Sequence, residues 1–293
     1  MSFIVDNAVI LAAGFSSRFA PLCAERPKAL IPVRGEVLIE RQIRQLREAG
    51  VKDVIVVTGY KKEAFEYLRD KLGVILVENP EYARRNNHSS IRAAARYLGN
   101  SYICSSDNYF EQNPFENRVD APYYAAVYAA GQTREWCLTT DREDWITGVT
   151  VGGHDQWYML GHVFWDADFA RTFLSILDAC YDAPGTEGLL WESIYAAHLD
   201  RLKLKMRRYE QNVIREFDTL DELREFDETY RNDTGSPLME SLARRFDCPQ
   251  GAITGCRPWH VSGGQPEGFL FECAGRTYRC RYADGQVKAA DER

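Results

Sequence analysis

No apolar run in this chain approaches the roughly 18 residues needed to cross a bilayer as a helix. The longest early one, Ala8–Ala13, is only six residues long. The first residues, Met1-Ser2-Phe3-Ile4-Val5-Asp6, show neither the basic region nor the apolar stretch of a secretory leader, so a cytoplasmic protein without membrane insertion is expected. Basic charge is also short. The chain has 36 Lys and Arg against 43 Asp and Glu, for a net charge of −7, the reverse of the footprint left by general nucleic-acid binding. A few cations in a cleft can still receive a small anionic substrate. There is no low-complexity segment and no repeat at solenoid periods. The eight cysteines include no Cys-x-x-Cys pair, and eight in 293 residues do not make a disulfide scaffold. Four of them (Cys248, Cys256, Cys273, Cys280) crowd the last 46 residues at separations of 8, 17 and 7, which speaks against a zinc knuckle.

Hydrophobic residues make up 45% of the chain, enough for one large domain or two unequal ones. The first half alternates strand and helix signals. Ala8–Ala12, Val54–Val57, Val74–Val77 and Tyr102–Cys104 read as buried strands. Ile39, Ile43 and Leu46, then Ala64, Phe65, Leu68 and Leu72, recur at helical spacing, and Gly50 and Gly73 end those stripes. A helix is expected around Asn87–Leu98. Successive strand–helix units imply right-handed crossovers and an open, mostly parallel α/β sheet. The middle, with strands expected at Tyr123–Ala130, Glu135–Thr140, Trp145–Val151 and Tyr158–Trp165, reads as a mixed or antiparallel extension. Helices are expected at Asp166–Tyr181, Leu189–Leu199 and Thr219–Tyr230, with a strand at Lys203–Tyr209. Asn232–Pro237 reads as a linker, followed by a helix (Leu238–Phe246) and a hairpin, Phe269–Cys273 with Arg276–Arg281, turned at Ala274-Gly275.

The most informative segment follows the first strand: Leu11-Ala12-Ala13-Gly14-Phe15-Ser16-Ser17-Arg18. A small-residue loop leaving a parallel strand presents backbone N–H groups at the carboxyl edge of the sheet, where such folds bind ligands and where phosphate is well received. Arg18 adds a forked cation, and Lys28, within Arg26-Pro27-Lys28-Ala29-Leu30, adds a point charge. A plain strand–helix loop with surface cations is the alternative. Asp107 ends a strand at the same edge, where a carboxylate can hold Mg²⁺ between phosphates or simply shape a turn. Aromatic residues gather in the middle region: Tyr128, Trp136, Trp145, Trp157, Tyr158, Trp165, Trp191 and Tyr195. Most suit core packing, although a quaternary ammonium group, which cannot donate a hydrogen bond, also needs aromatic faces.

Leu-Ala-Ala-Gly-x-x-Ser-Arg followed by Pro-Lys-Ala-Leu resembles the signature of nucleotidyltransferases that join a nucleoside triphosphate to a phosphorylated small molecule. That family usually has Gly where this chain has Ser16, and a serine fits there if its φ is negative. Tyr82–Ser90 and Ser106–Tyr109 are similar to segments of the bacterial-type CTP:phosphocholine cytidylyltransferases. Thr133-Arg134-Glu135-Trp136 resembles their Thr-Asn-Glu-Trp segment, Leu190-Trp191-Glu192 their Tyr-Trp-Asp segment, and Gly161–Asp166 a strand that reads as structural. The resemblance spans about residues 7–230. It implies a Rossmann-like nucleotidyltransferase sheet and conversion of CTP and phosphocholine to CDP-choline and pyrophosphate. It further implies Leu11, Ala12, Ala13, Gly14, Arg18, Lys28, Asn87 and Ser90 at the nucleotide, and Arg18, Lys28 and Asp107 in catalysis. Trp136, Trp191 and Glu192 would stand at the acceptor, and Asp107 with Glu192 at Mg²⁺. Phosphoethanolamine and aminoethylphosphonate acceptors stay open, since Glu135 and Glu192 can each meet a primary ammonium. A sugar-1-phosphate nucleotidyltransferase shares the loop and lysine but not the paired tryptophans. A non-catalytic nucleotide-binding protein would have no need of Arg18, Lys28 and Asp107 together.

Beyond the linker, Leu242–Cys248, Ala252–Thr254, Ser262–Gly264, Gly268–Glu272 and Tyr278–Arg281 resemble the opening of a choline-kinase-type N-lobe, with no catalytic loop or metal-binding Asp motif after it. The expectation is a catalytic domain over 1–232 and a small α+β appendage over 237–293. That appendage would serve packing or interaction, with its cysteines reduced and half-buried.

Overall fold

In the computed structural model, which describes residues 2–260 and 265–290, Ala8, Val9 and Ile10 have no exposed surface. Their strand, β1 (Asn7–Ala12), is therefore covered on both faces, as a central parallel strand must be. It runs parallel to β2 (Asp53–Thr58) on one side and β4 (Ser101–Ser105) on the other, and β3 (Ile75–Glu78) continues the parallel array beyond β2. Helices α1 (Leu38–Glu48), α2 (Tyr67–Leu72) and α3 (His88–Ala93) belong to the crossovers. The buried stripe Ile39, Ile43 and Leu46 explains α1. The helix expected at Asn87–Leu98 is shorter: α3 ends at Ala93, and a 3₁₀ turn covers Ala95–Tyr97.

The extension is two long strands rather than the four expected. β5 (Tyr123–Thr140) and β6 (Ile146–Trp165) form one antiparallel hairpin. Register shifts at Ala129/Gln132 and Thr133/Trp136 absorb the glycines and polar residues that read as strand ends, so the strands bend there without stopping. β6 pairs antiparallel with β4, while β7 (Lys205–Tyr209) lies parallel beside β5, giving the order β7-β5-β6-β4-β1-β2-β3. Helix α4 (Ala167–Cys180) starts at Asp166, whose carboxylate accepts from the Phe169 N–H at 2.7 Å. Phe169, Phe173, Ile176 and Leu177 bury it against Trp165, Tyr124 and α5 (Trp191–Ala196). His162 is enclosed by Tyr102, Phe110, Phe115, Tyr123 and Tyr209. Burial first, and Arg207 second, push it down to about 3, so it sits there as a neutral core residue.

The chain gathers into two units whose limits differ from the expected ones. One comprises the residues up to Gly14 with Ile39–Glu216; the other comprises Phe15–Leu38 with the described residues from Phe217 onward. Residues 233–236 are not a linker. Thr234 and Ser236 are buried, the Thr234 hydroxyl and amide both donate to Gln250 Oε1 (2.7 and 3.0 Å), and Ser236 caps the next helix. In the second unit the expected Thr219–Tyr230 helix is divided. α6 (Leu220–Phe226) opens with a Thr219/Glu222 capping box and stops at Asp227, whose carboxylate accepts from the Arg34 N–H (2.6 Å) and the Thr229 hydroxyl (2.6 Å). After α7 (Thr229–Asn232) and α8 (Pro237–Phe246) comes a four-stranded antiparallel sheet: β8 (Thr254–Trp259), β9 (Gly268–Cys273), β10 (Arg276–Arg281) and β11 (Val287–Ala289). The hairpin turn falls at Ala274-Gly275, both at positive φ. The kinase-like Ser262–Gly264 segment lies outside the described residues. Among the described residues, no helix is long and apolar enough to cross a membrane.

Candidate active site

Within the first unit, the ends of the parallel strands bring the expected loop and acid to one edge. Leu11 is level with Ser105 and Val57, and Ala12 with Thr58. The Ser106 N–H donates to Leu11 O at 3.3 Å, so the Ser106-Asp107 turn lies against the end of β1. Asp107 is half-buried there. The path through Ala12–Gly14 is held from the side: Ala13 O accepts from the Tyr60 N–H at 3.0 Å, and a Cβ on Gly59 would lie 2.6 Å from the Tyr82 ring and 2.9 Å from Ala13 O. Gly59 and Tyr82 thus shape the phosphate loop, although the sequence assigns no role to Gly59 and places Tyr82 only at the start of the Tyr82–Ser90 segment. The available signal was a glycine directly after the strand neighbouring β1.

A second group forms where residues 85–88 meet residues 181–192. Arg85 donates to Tyr181 O (2.5 Å), Asn86 N to Glu187 O (2.8 Å), and His88 Nδ1 lies 2.6 Å from Leu189 O. Asn87 occupies the N-cap of α3 but makes no capping bond. Its amide turns to α5, where Nδ2 donates to Glu192 Oε2 at 3.0 Å and Oδ1 accepts from the Trp191 N–H at 2.7 Å. In this geometry the Asn87 side chain clamps Glu192 and the start of α5. Ser90 is likewise interior: it is 4% exposed and accepts from Asn79 Nδ2 at 3.1 Å.

Burial drives the Glu192 carboxyl up to about 7, even though Asn87 and the Tyr124 hydroxyl stabilise its charged form. A carboxylate held in that state gains from a cation beside it. Trp191, expected to offer a ring to the acceptor, is only 2% exposed. Tyr124 stacks on it at 5.7 Å and 12°, and Trp165 meets it edge-on at 5.3 Å. It is a core residue, adjacent in sequence to Glu192. Trp136 differs: it is half-buried, opposite Val151 in the hairpin, and rests on the same core. One further acid went unforeseen. Glu216 pairs in register with Asn108, next to Asp107, and its charge raises the hydroxyl pKa of Tyr124 and Tyr158, in each case after burial. It ends a three-residue strand inside a stretch that reads as loop, so only the pairing reveals it.

The remaining expected residues belong to the second unit. Arg18 is exposed, and its guanidinium donates to Asp218 Oδ2 at 2.5 Å. Lys28 is 4% exposed, with Nζ 5.5 Å from the centre of the Phe19 ring. Ser16 adopts φ 50°, ψ 40°, not the negative φ expected. A left-handed serine costs about 1 kcal/mol, which explains a preference for glycine at this position. For Mg²⁺, the described residues contain no group of three His, Cys, Asp or Glu side chains that could hold a metal. Mg²⁺ does not require one: one or two carboxylates with substrate phosphates suffice, and Asp107 at the sheet edge fits that donor set.

Comparison with known proteins agrees with this geometry. A family model described as "MobA-like NTP transferase domain" matches residues 8–139. A choline-phosphate cytidylyltransferase of Streptococcus pneumoniae is 35% identical over 227 residues, covering 78% of this chain and 99% of that protein. A 2-aminoethylphosphonate cytidylyltransferase of Lancefieldella rimae is 36% identical over 228 residues, covering 76% and 93%. The solved structure of the CTP:phosphocholine cytidylyltransferase from Streptococcus pneumoniae superposes with a TM-score of 0.74 at 35% identity, over 78% of this chain and 99% of that one.

Proposed function

Since the chain belongs to the choline-phosphate cytidylyltransferase family of nucleotidyltransferases, we propose that it joins CTP and phosphocholine to give CDP-choline and pyrophosphate. A phosphate oxygen of phosphocholine attacks the α-phosphorus of CTP in line, and pyrophosphate leaves. The nucleophile is already anionic, so no general base is needed, and catalysis rests on positioning and charge neutralisation. In this reading Leu11–Gly14 offer backbone N–H groups to the triphosphate, and Arg18 and Lys28 offset its charge. Asp107 would hold Mg²⁺, and Glu216, paired with Asn108, is an acid on the neighbouring strand. Bound Mg²⁺ supplies positive charge to the phosphate oxygens.

The observation that carries the acceptor assignment is Glu192. It is a half-buried carboxylate clamped by Asn87 and reached by the hydroxyl of Tyr124, which stacks on Trp191, and its remaining exposure leaves it open to the ammonium of the acceptor. Trp136 supplies the accessible aromatic face. This arrangement favours Glu192 as the partner of the ammonium over a second metal ligand. It also gives a second reading some support, because a primary ammonium bonds a carboxylate directly and a 2-aminoethylphosphonate enzyme is a relative of similar identity. The test is pyrophosphate release with CTP and each acceptor in turn: phosphocholine, phosphoethanolamine, 2-aminoethylphosphonate and a sugar 1-phosphate. Release with phosphocholine supports the reading, and release with the sugar phosphate alone refutes it. Trp136→Ala is expected to erode the preference for the quaternary ammonium; an unchanged preference removes Trp136 from the acceptor site.

A further inference from the structure

The crowding of cysteines near the end of the chain plays no part in the proposed chemistry, yet the fold brings two of them together. Cys248 follows Asp247, the left-handed C-cap of α8, and its own N–H donates to Ala243 O at 3.0 Å, which fixes its backbone. Cys273 ends β9 and is paired in register with Arg276 across the Ala274-Gly275 turn. Between these two points Phe246 sets the helix on the sheet, with its ring edge-on to Phe271 at 5.6 Å and to Tyr278 at 4.7 Å. The result is a Cys248 Sγ to Cys273 Sγ distance of 3.8 Å, van der Waals contact between sulfurs 25 residues apart in sequence. A disulfide requires roughly 2.05 Å. Cys248 is half-buried, whereas Cys273 is 4% exposed.

We propose that Cys248 and Cys273 are a modification site, a dithiol that closes to an intramolecular disulfide when the protein meets a hydroperoxide. The accessible Cys248 sulfur attacks the peroxide oxygen. The O–O bond breaks, Cys248 becomes a sulfenic acid, and one water leaves. The Cys273 sulfur then attacks the Cys248 sulfur, the S–O bond breaks, and the hydroxyl leaves with the Cys273 proton as a second water. Two thiols and one hydrogen peroxide thus give one disulfide and two waters. A thiol reductant reverses the change. Cys256 and Cys280, also buried in this sheet, stay reduced: the Cys280 sulfur faces Arg281 O at 4.0 Å rather than another sulfur.

The experiment exposes the full folded chain to hydrogen peroxide, removes the peroxide, unfolds the chain in guanidinium with iodoacetamide to block the remaining thiols, and maps the digest by mass spectrometry. The expected result is the loss of two of the eight alkylatable thiols and one linked peptide pair, Cys248 to Cys273, that dithiothreitol separates. All eight thiols still alkylated, a link between other cysteines, or Cys248 driven to the sulfinic acid without a link would each overturn the proposal. In Cys273→Ser, Cys248 should stop at the sulfenic acid and be captured by dimedone; absence of the adduct in folded protein contradicts the order of attack. Because Cys273 is buried and its variant is prone to misfold, Cys248→Ser provides the second arm. Peroxide should then produce no link to Cys273, and any such link refutes the pairing.

Discussion

Replacing Glu192 by Gln tests the carboxylate on which the acceptor assignment rests. Its carboxyl is raised from an ordinary 4.5 to about 7 by burial. The folded chain therefore holds this proton more tightly than the unfolded chain. Stability linked to it is fully present below about 4.5 and is lost as pH rises to about 7, after which the loss is complete. At 1.36 kcal/mol per unit, that loss amounts to about 3 kcal/mol. Gln keeps the shape but carries no proton to lose. The difference in unfolding free energy, Glu192→Gln minus the parent, should therefore grow by about 2.5 kcal/mol between pH 5 and pH 8. Urea titrations at several pH values measure it. Tryptophan fluorescence is a suitable signal, because Trp191 stacks on Tyr124, whose hydroxyl reaches Glu192. Parallel pH curves for the two proteins would refute the burial argument and, with it, the reason this carboxylate seeks a cation.

Asp107→Asn should lower turnover about a hundredfold or more while leaving the melting curve in place, checked by pyrophosphate release across a Mg²⁺ titration. Gly59→Ala forces a Cβ against the Tyr82 ring and Ala13 O; it should destabilise the first unit by about 1–3 kcal/mol and raise the KM for CTP, read from urea titration and steady-state kinetics. Ser16→Gly relieves a left-handed serine and should stabilise the protein by about 0.5–1 kcal/mol, read by thermal or urea unfolding.

Local patterns carried much of this molecule. The β-branched run at 54–57 and the stripe Ile39, Ile43, Leu46 needed only periodicity, because burial on both faces or on one helical face leaves a direct trace in composition, whereas the run at 74–77, expected to be buried, forms the edge strand β3 with Ile75 exposed. That Leu11–Gly14 and Asp107 fall at one edge follows from the parallel order of their strands. What escaped reading was non-local. Nothing in the sequence around Asn87 shows that its amide serves residues 104 and 105 positions away. Trp191 reads as a ligand face until Tyr124 is found stacked upon it. The glycines of the β5–β6 hairpin read as strand ends, whereas they are accommodated by bulges. The apparent linker at 233–236 is polar because it hydrogen-bonds inward to Gln250, not because it is solvated. Ser16 departs from glycine while keeping glycine's backbone angle, and no side-chain pattern reports that.

The central claim concerns which phosphorylated amine this family member uses. It is tested most directly by offering CTP with equal amounts of phosphocholine and 2-aminoethylphosphonate and following both products by phosphorus NMR, which separates the pyrophosphate-type linkage of CDP-choline from a phosphonate. The account predicts CDP-choline as the major product, with pyrophosphate released in equal amount. Predominant formation of the cytidylyl phosphonate, or no CDP-choline at all, would contradict it.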